Sequence, residues 1–299
     1  MLSVLLPSDM RPVDVDVRMD DVDFDGVRPH VDLTQVGFYV APYLGPSSTL
    51  DLIRRMPNLQ VVQLLTAGFD AAVPLVPPNV VLCNAAGVHD ASTAELAVGL
   101  ILASLRGIDD FARAMPDGTW LHARRASLAD RRILILGVGG VGRAIAARLE
   151  PFETDLILMG RTARPGIRGS EELDDLLPWA DIVVVAVPLS AETTSLVDDA
   201  FLGRMRDTAL LVNMARGSVV DTNALLHHVQ SGRLRAAMDV TDPEPLPADH
   251  PLWRTPGVLV SPHVGGDTSA FVPRARILVE AQIRRWLNGE QLGFVVNAP

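Results

Sequence analysis

Three residues able to act on a carbonyl compound occupy three loops in the second half of the chain, each just past a short apolar run. Arg216 lies in Val212-Asn213-Met214-Ala215-Arg216-Gly217, Glu244 lies between two prolines in residues 239–246, and His263 lies in Ser261-Pro262-His263-Val264-Gly265-Gly266. A guanidinium can hold a carboxylate and polarise a carbonyl. An imidazole can exchange a proton, and a carboxylate can hold that imidazole in place. Each residue also has a bland reading: a surface ion pair, a solvated carboxylate, a loop histidine. Three such loops after three strands would share one rim of an open α/β sheet, where such sheets bind ligands. On that rim the three types form a coherent set for proton and hydride chemistry.

A fourth stretch supplies a partner for that chemistry. Residues 131–150 read as an apolar strand, a glycine turn and a helix, with Gly137, Gly139 and Gly142 at G-x-G-x-x-G spacing. Such glycines make the tight turn, admit a pyrophosphate to the backbone and pack the helix close to the strand. Helix N-terminal amides around Gly139-Gly140-Val141 would then face phosphate. A ligand-free glycine turn has the same letters, so the motif gains weight from the strand before it and the helix after it. A site for NAD(H) calls for an acid about 20 residues past the glycines. Here the second strand is followed by Arg161 and Thr162, with Arg164 close by and no acid until Glu171. Guanidinium groups favour a 2′-phosphate, so NADP(H) is expected over NAD(H), which stays as the alternative.

Around these loops the pattern alternates strand and helix. Short β-rich runs at 2–6, 38–40, 61–64 and 80–82, with a helix over 49–56, suggest a small α/β unit. The acidic stretch 14–25 alternates Val with Asp and is expected to be a solvated loop rather than a strand. A long amphipathic helix is expected over 92–109, then an arm or short helix through 110–126 that carries Trp120. Strands at 155–159, 181–187, 209–213, 236–240 and 259–261 alternate with helices at 171–177, 198–205 and 223–231, the mark of a doubly wound sheet. A last helix spans 271–288, with Ile277, Ile283 and Leu287 among its apolar positions, and 294–296 could return to the first unit as an extended piece.

Composition narrows the partners. The chain has 299 residues, 48% apolar and 21% charged, ample for two domains with cores. Its net charge of −10 argues against nucleic acid and anionic membrane. The single cysteine, Cys83, sits in an apolar run and is expected in the core. The first ten residues do not read as a signal peptide, and a cytoplasmic protein is expected. No metal constellation is visible, and of the other histidines His227 and His228 are placed on an exposed helix, His30, His122 and His250 in polar loops, and His89 near the domain junction.

The motifs GVGGVG, VNMARGSVVD, AAMDVTDPEPLP and SPHVGGDT, in this order, resemble the D-isomer-specific 2-hydroxyacid dehydrogenase family. The resemblance implies an α/β chain with two Rossmann-like or flavodoxin-like domains, each a doubly wound parallel sheet. It implies a substrate domain made from residues 1–91 and 267–299, with a dinucleotide domain, 92–266, inserted in it. Carried over by the resemblance, Arg216 binds the carboxylate and carbonyl of a 2-ketoacid. His263 is the general acid in reduction, paired with Glu244. Asp239 holds the nicotinamide amide, and Pro188, Thr193 and Met214 line the cofactor site. Backbone groups of Ala67 and Gly68 help hold the substrate. Members similar to NADPH-dependent glyoxylate or hydroxypyruvate reductases carry Arg followed by Ser or Thr after the second strand, as Arg161-Thr162 does here. A homodimer paired through the cofactor domains, using the arm around Trp120, is implied as well. Two other readings stand beside a small-ketoacid reductase: a nucleotide-sensing corepressor-like binding protein of the same superfamily, and a specialised biosynthetic dehydrogenase. Asp267 is an acid near His263 that the family pattern does not call for.

Overall fold

A computed structural model describes residues 2–23, 26–27 and 31–297. The stretch around His30 therefore lies outside the described residues. The chain divides into two compact units, one made of residues 1–89 and 268–299 and the other of residues 90–267.

Thirteen strands are assigned among the described residues. In chain order they are β1 (Ser3–Leu6), β2 (Met19–Asp23), β3 (Gly26–Val27), β4 (Val36–Val40), β5 (Val61–Gln63), β6 (Val81–Cys83), β7 (Arg132–Leu136), β8 (Asp155–Met159), β9 (Ile182–Val185), β10 (Leu210–Asn213), β11 (Arg235–Met238), β12 (Val258–Val260) and β13 (Val295–Asn297). The α-helices are α1 (Ser47–Asp51), α2 (Asp90–Arg106), α3 (Ile108–Ala114), α4 (Gly140–Leu149), α5 (Leu173–Leu176), α6 (Asp199–Arg204), α7 (Thr222–Gln230) and α8 (Phe271–Asn288).

In the unit of the chain ends, the described strands form one sheet in the order β13-β6-β5-β4-β1-β2-β3. Its centre is parallel, while β13 runs antiparallel to β6 and β3 antiparallel to β2. The expectation of a loop over 14–25 is corrected for Met19–Asp23, which pairs with β1 and buries Val22. Its alternating Val and Asp are the mark of a strand with one wet face. The last helix starts and stops as expected, but Ile277 is 72% exposed and the buried face runs through Phe271, Ala275, Leu278, Val279 and Ile283. His89 is buried in this unit, packed against both rings of the Tyr43–Phe271 pair with its Nε2 2.7 Å from the Leu65 carbonyl. Cys83 is fully buried in the same core.

In the unit of residues 90–267, six parallel strands follow the order β12-β11-β10-β9-β7-β8. Alternate residues of the central strands serve opposite faces. Leu134, Leu136, Val183 and Val185 join one core, and Ile133, Ile135, Ile182 and Val184 join the other. Burial on both faces is why these strands read as unbroken apolar runs. The strand order reverses between β7 and β9, so the switch point falls beside the glycine turn. The long helix α2 stops earlier than its apolar pattern suggests, because Gly107 turns left-handed at φ 65° before α3 begins. Beyond α3 a 3-10 turn over Met115–Asp117 leads into an irregular stretch that carries Trp120, which is 91% exposed. His228 corrects its expected exposure: it is buried, accepting at Nδ1 from Arg233 Nε at 3.0 Å with Asp199 at 3.1 Å from Nε2. Because the guanidinium only donates, Nε2 carries the ring proton toward Asp199. No single helix among the described residues is long and apolar enough to cross a membrane.

Candidate active site

Because all six strands of the 90–267 unit are parallel, their C-terminal ends form one rim. The glycine turn follows β7, Arg161 to Arg164 follow β8, Pro188 follows β9, Arg216 follows β10, Asp239 and Glu244 follow β11, and His263 follows β12. Strands β10, β11 and β12 are neighbours, so the loops of Arg216, Glu244 and His263 leave the sheet side by side.

The glycine turn has the geometry a dinucleotide phosphate requires. Gly137 sits at φ 106°, and a Cβ there would overlap the Ala186 carbonyl across the switch point. A Cβ on Gly142 would overlap the Gly137 carbonyl, which sets the close approach of α4 to β7. Above Gly139, the N-terminal cap of α4, there is open space. A tight turn, a helix start and room for a ligand fit a pyrophosphate. Asp90, at the start of α2, escaped the sequence reading. A Cβ on Gly140 would lie 2.6 Å from Asp90 Cγ, so this carboxylate rests against the first turn of α4.

After β8, Arg161, Thr162 and Arg164 are exposed. The Arg161 guanidinium pairs with Glu192, whose loop follows β9. Thr193 shapes that loop, donating to the Pro188 carbonyl at 2.7 Å and accepting from the Ser190 amide at 2.8 Å. Met214 is buried in the core under α2, with its amide bound to the Val185 carbonyl at 2.9 Å.

The Arg216 loop is built on Asn213, a buried residue outside the expected set. Asn213 accepts from the Ala215 amide and donates to the Arg216 carbonyl, both at 3.0 Å. A Cβ on Gly217 would overlap the Thr241 carbonyl, so this loop and the proline-rich loop touch through their backbones. Arg216 is half-buried, and its Nη1 donates to the Ala215 carbonyl at 2.8 Å.

His263 and Glu244 are brought together: His263 Nδ1 lies 2.5 Å from Glu244 Oε1, with both side chains about two-fifths exposed. A carboxylate only accepts, so Nδ1 carries the proton and Nε2 is left to face a ligand. His263 itself sits at φ 54°, a left-handed conformation that costs a non-glycine residue free energy. Asp239 holds it there. Its buried carboxylate accepts from Ser261 Oγ at 2.7 Å, the Val264 amide at 2.9 Å and the Gly265 amide at 2.8 Å. Its carbonyl accepts from the His263 amide at 2.8 Å. A Cβ on Gly265 would approach Asp239 Oδ2 to 2.7 Å, so only glycine closes this loop. Asp267 is exposed, and its amide donates to the Val264 carbonyl at 3.1 Å.

Ala67 and Gly68 belong to the other unit, in the loop after β5. Their carbonyls accept from Asn84 Nδ2 at 2.8 Å and Thr66 Oγ1 at 2.7 Å, which fixes the loop's backbone. Among the described residues no group of three or more His, Cys, Asp or Glu gathers as a metal site.

Comparison with known proteins places this geometry. Residues 98–265 match the model of the D-isomer specific 2-hydroxyacid dehydrogenase, NAD binding domain. The glyoxylate reductase of Thermofilum pendens is 33% identical over 257 residues, which are 81% of this chain and 76% of the relative. A D-isomer specific 2-hydroxyacid dehydrogenase from Xanthobacter autotrophicus Py2, solved with NADPH and MES, superposes with a TM-score of 0.84 at 28% identity, covering 99% of this chain and 98% of the other. The NADPH-dependent glyoxylate/hydroxypyruvate reductase of Sinorhizobium meliloti, solved with NADP and malonate, does so with a TM-score of 0.81 at 25% identity, covering 99% and 96%. The chain thus belongs to the D-isomer specific 2-hydroxyacid dehydrogenases, oxidoreductases with a dinucleotide-binding domain, and residues 98–265 are its matched part.

Proposed function

We propose that the protein is an NADP(H)-dependent reductase of a small 2-ketoacid, such as glyoxylate or hydroxypyruvate, acting as a cytoplasmic homodimer. The observation that carries this reading is the His263–Glu244 pair, held on the same strand-end rim as Arg216 and the glycine turn. When bound, the reduced dinucleotide supplies the hydride. Arg216 holds the substrate carboxylate and draws electron density from the 2-carbonyl. His263, protonated, gives its Nε2 proton to the carbonyl oxygen as the alcohol forms, and Glu244 balances the ring's charge through Nδ1. Hydride and proton together complete the 2-hydroxyacid.

Preference for the 2′-phosphate is assigned to Arg161, Thr162 and Arg164. Arg161 and Glu192 are 79% and 63% exposed, and such a pair is held weakly enough to be exchanged for a phosphate. Gly137 to Gly142 take the pyrophosphate, and Pro188, Thr193, Met214 and Asp239 the rest of the cofactor. Ala67 and Gly68 are assigned to the substrate carboxylate, and the unit of the chain ends to substrate binding. The exposed Trp120 and Met115 on the segment after α2 support a second copy as partner. The test is oxidation of NADPH against a panel of 2-ketoacids. A much higher kcat/KM with NADPH than with NADH is expected, and His263→Ala should remove most of the rate. Equal or better use of NADH would reject the cofactor assignment, and an unchanged rate in His263→Ala would reject the proton donor.

A further inference from the structure

The parallel sheet of the 90–267 unit has a second rim, at the N-terminal ends of its strands. There a cavity of about 300 Å³ is lined by Arg124, Arg125, Arg131 and Arg235, together with Asp181 and Asp207. Arg124, Arg125 and Arg131 come from the segment that leads into β7. Asp181 and Asp207 come just before β9 and β10, and Arg235 opens β11.

The two acids are answered from outside the lining. Asp181 accepts from Arg206 Nη1 at 2.9 Å and from the Arg132 amide at 3.1 Å, and Asp207 pairs with Arg233 at 3.3 Å. Among the arginines, Arg125 shares Asp110 at 2.9 Å, yet its Nε is enclosed without a hydrogen-bond partner. Arg131 and Arg235 turn donors to neutral groups, the carbonyls of Ser127 and Ser104, each at 3.0 Å. Arg131 and Arg235 line the same cavity, and burial, with the charge of Arg131 after it, draws the Arg235 guanidinium below its ordinary range. Lining residues and their ion partners make seven arginines against three aspartates, an excess of four positive charges. The chain as a whole carries −10, so this concentration is local.

We propose that this cavity binds a small phosphate-bearing anion. Guanidinium forks match the oxygens of a phosphate, and a multiply charged anion answers the excess of four where a monocarboxylate leaves most of it standing. The volume lies at the lower end of the roughly 300–1,000 Å³ of ligand pockets, which suits an ion of pyrophosphate size better than a dinucleotide. The site is separate from the glycine turn, being at the opposite ends of the same strands, and it stands whether or not the cofactor assignment does.

The test is calorimetry and thermal unfolding of the whole chain with pyrophosphate and with inorganic phosphate. Potassium chloride at matched ionic strength controls for screening, and a saturating dinucleotide blocks the glycine turn. The expected result is one-to-one binding of pyrophosphate that persists under saturating dinucleotide and raises the unfolding midpoint. Arg124→Glu, on an exposed stretch, and Arg131→Glu should each weaken it on the order of tenfold or more. Binding abolished by the dinucleotide, binding unchanged in Arg124→Glu, or no binding beyond the chloride control would overturn the proposal. Arg124 lies on the segment also assigned to a second copy, so its variant is read with the mass in solution. Binding lost at unchanged mass decides for the site even if Arg131→Glu does not fold, and binding lost only on dissociation overturns it.

Discussion

Asp239 is the residue whose replacement separates two accounts of this site. Its carboxylate accepts three hydrogen bonds from the loop of Ser261, Val264 and Gly265, and that loop keeps His263 at φ 54°. The left-handed conformation costs about 1–2 kcal/mol. Three bonds to a buried charge, at about 1.5 kcal/mol each on the low side, oppose it with roughly 4–5 kcal/mol. The loop is therefore held by a margin of about 3 kcal/mol. Asp239→Asn keeps an acceptor for Ser261 and Val264 but loses the Gly265 bond, about 1.5 kcal/mol, and sets an amide NH₂ against the Gly265 amide at a further cost of about 2 kcal/mol, so the margin is just overturned. Asp239→Ala removes all three bonds, and the margin disappears. With the competent loop then a minority state, kcat falls by the population lost: about tenfold or more for Ala and several-fold for Asn. Steady-state reduction of glyoxylate measures this, and a cycle with His263→Ala apportions it. If Asp239 works through the His263 loop, adding Asp239→Asn to His263→Ala changes kcat no further. If it instead holds the nicotinamide amide, the dinucleotide KM rises in both backgrounds. An Asp239→Ala protein with native kcat would refute the positioning argument.

Three other outcomes follow from the geometry. Glu244→Gln keeps an acceptor for His263 Nδ1 but loses the charge, and for a half-exposed pair this is worth about 1–2 kcal/mol, so kcat/KM should fall roughly 5- to 30-fold with the dinucleotide Kd unchanged. Asp90→Asn removes a carboxylate from the first turn of α4, where phosphate is expected. Fluorescence titration should show dinucleotide binding tightened several-fold, and weaker binding would mean that Asp90 organises the turn. Burial, partly offset by a hydrogen bond with Gln282, pushes the Cys83 thiol up to about 11. At pH 8 it stays a thiol, so the native protein should resist iodoacetamide over hours while the denatured chain reacts within minutes.

The parts of this protein written in short-range pattern were legible in its sequence. Strand β8 and helix α8 begin and end where their apolar runs do, because burial on a sheet or helix face sets both. The strand-end loops were legible too, since turn residues mark them and parallel topology sends them to one rim. What was missed depends on contacts far apart in the chain. Asp239 reads as a polar loop residue until the amides of residues 264 and 265 close on it. Asp90 gains its place only when α2 packs against α4. His228 reads as exposed because it doubles with His227 as a titratable pair on a helix, and its cover comes from Asp199 and Arg233 on other segments. Met19–Asp23 reads as a loop because its charge outweighs its alternation, although one buried valine suffices for a strand at the margin of a sheet.

The way the chain closes its first unit bears on the order in which the protein is made. Gln282 donates to Gln63 at 3.0 Å, and β13 pairs with β6, contacts that span more than two hundred residues. Residues 90–267, by contrast, form an uninterrupted unit whose sheet needs nothing from either end. During synthesis this middle portion can fold while the earlier strands still lack α8 and β13, so the part that emerges first is completed last. Until then Phe38 and Val61 lack the cover of Phe271, Leu278 and Ile283. The nascent protein thus presents an unfinished apolar sheet face for as long as the ribosome takes to make some two hundred further residues, about 10–40 s at 5–20 residues per second.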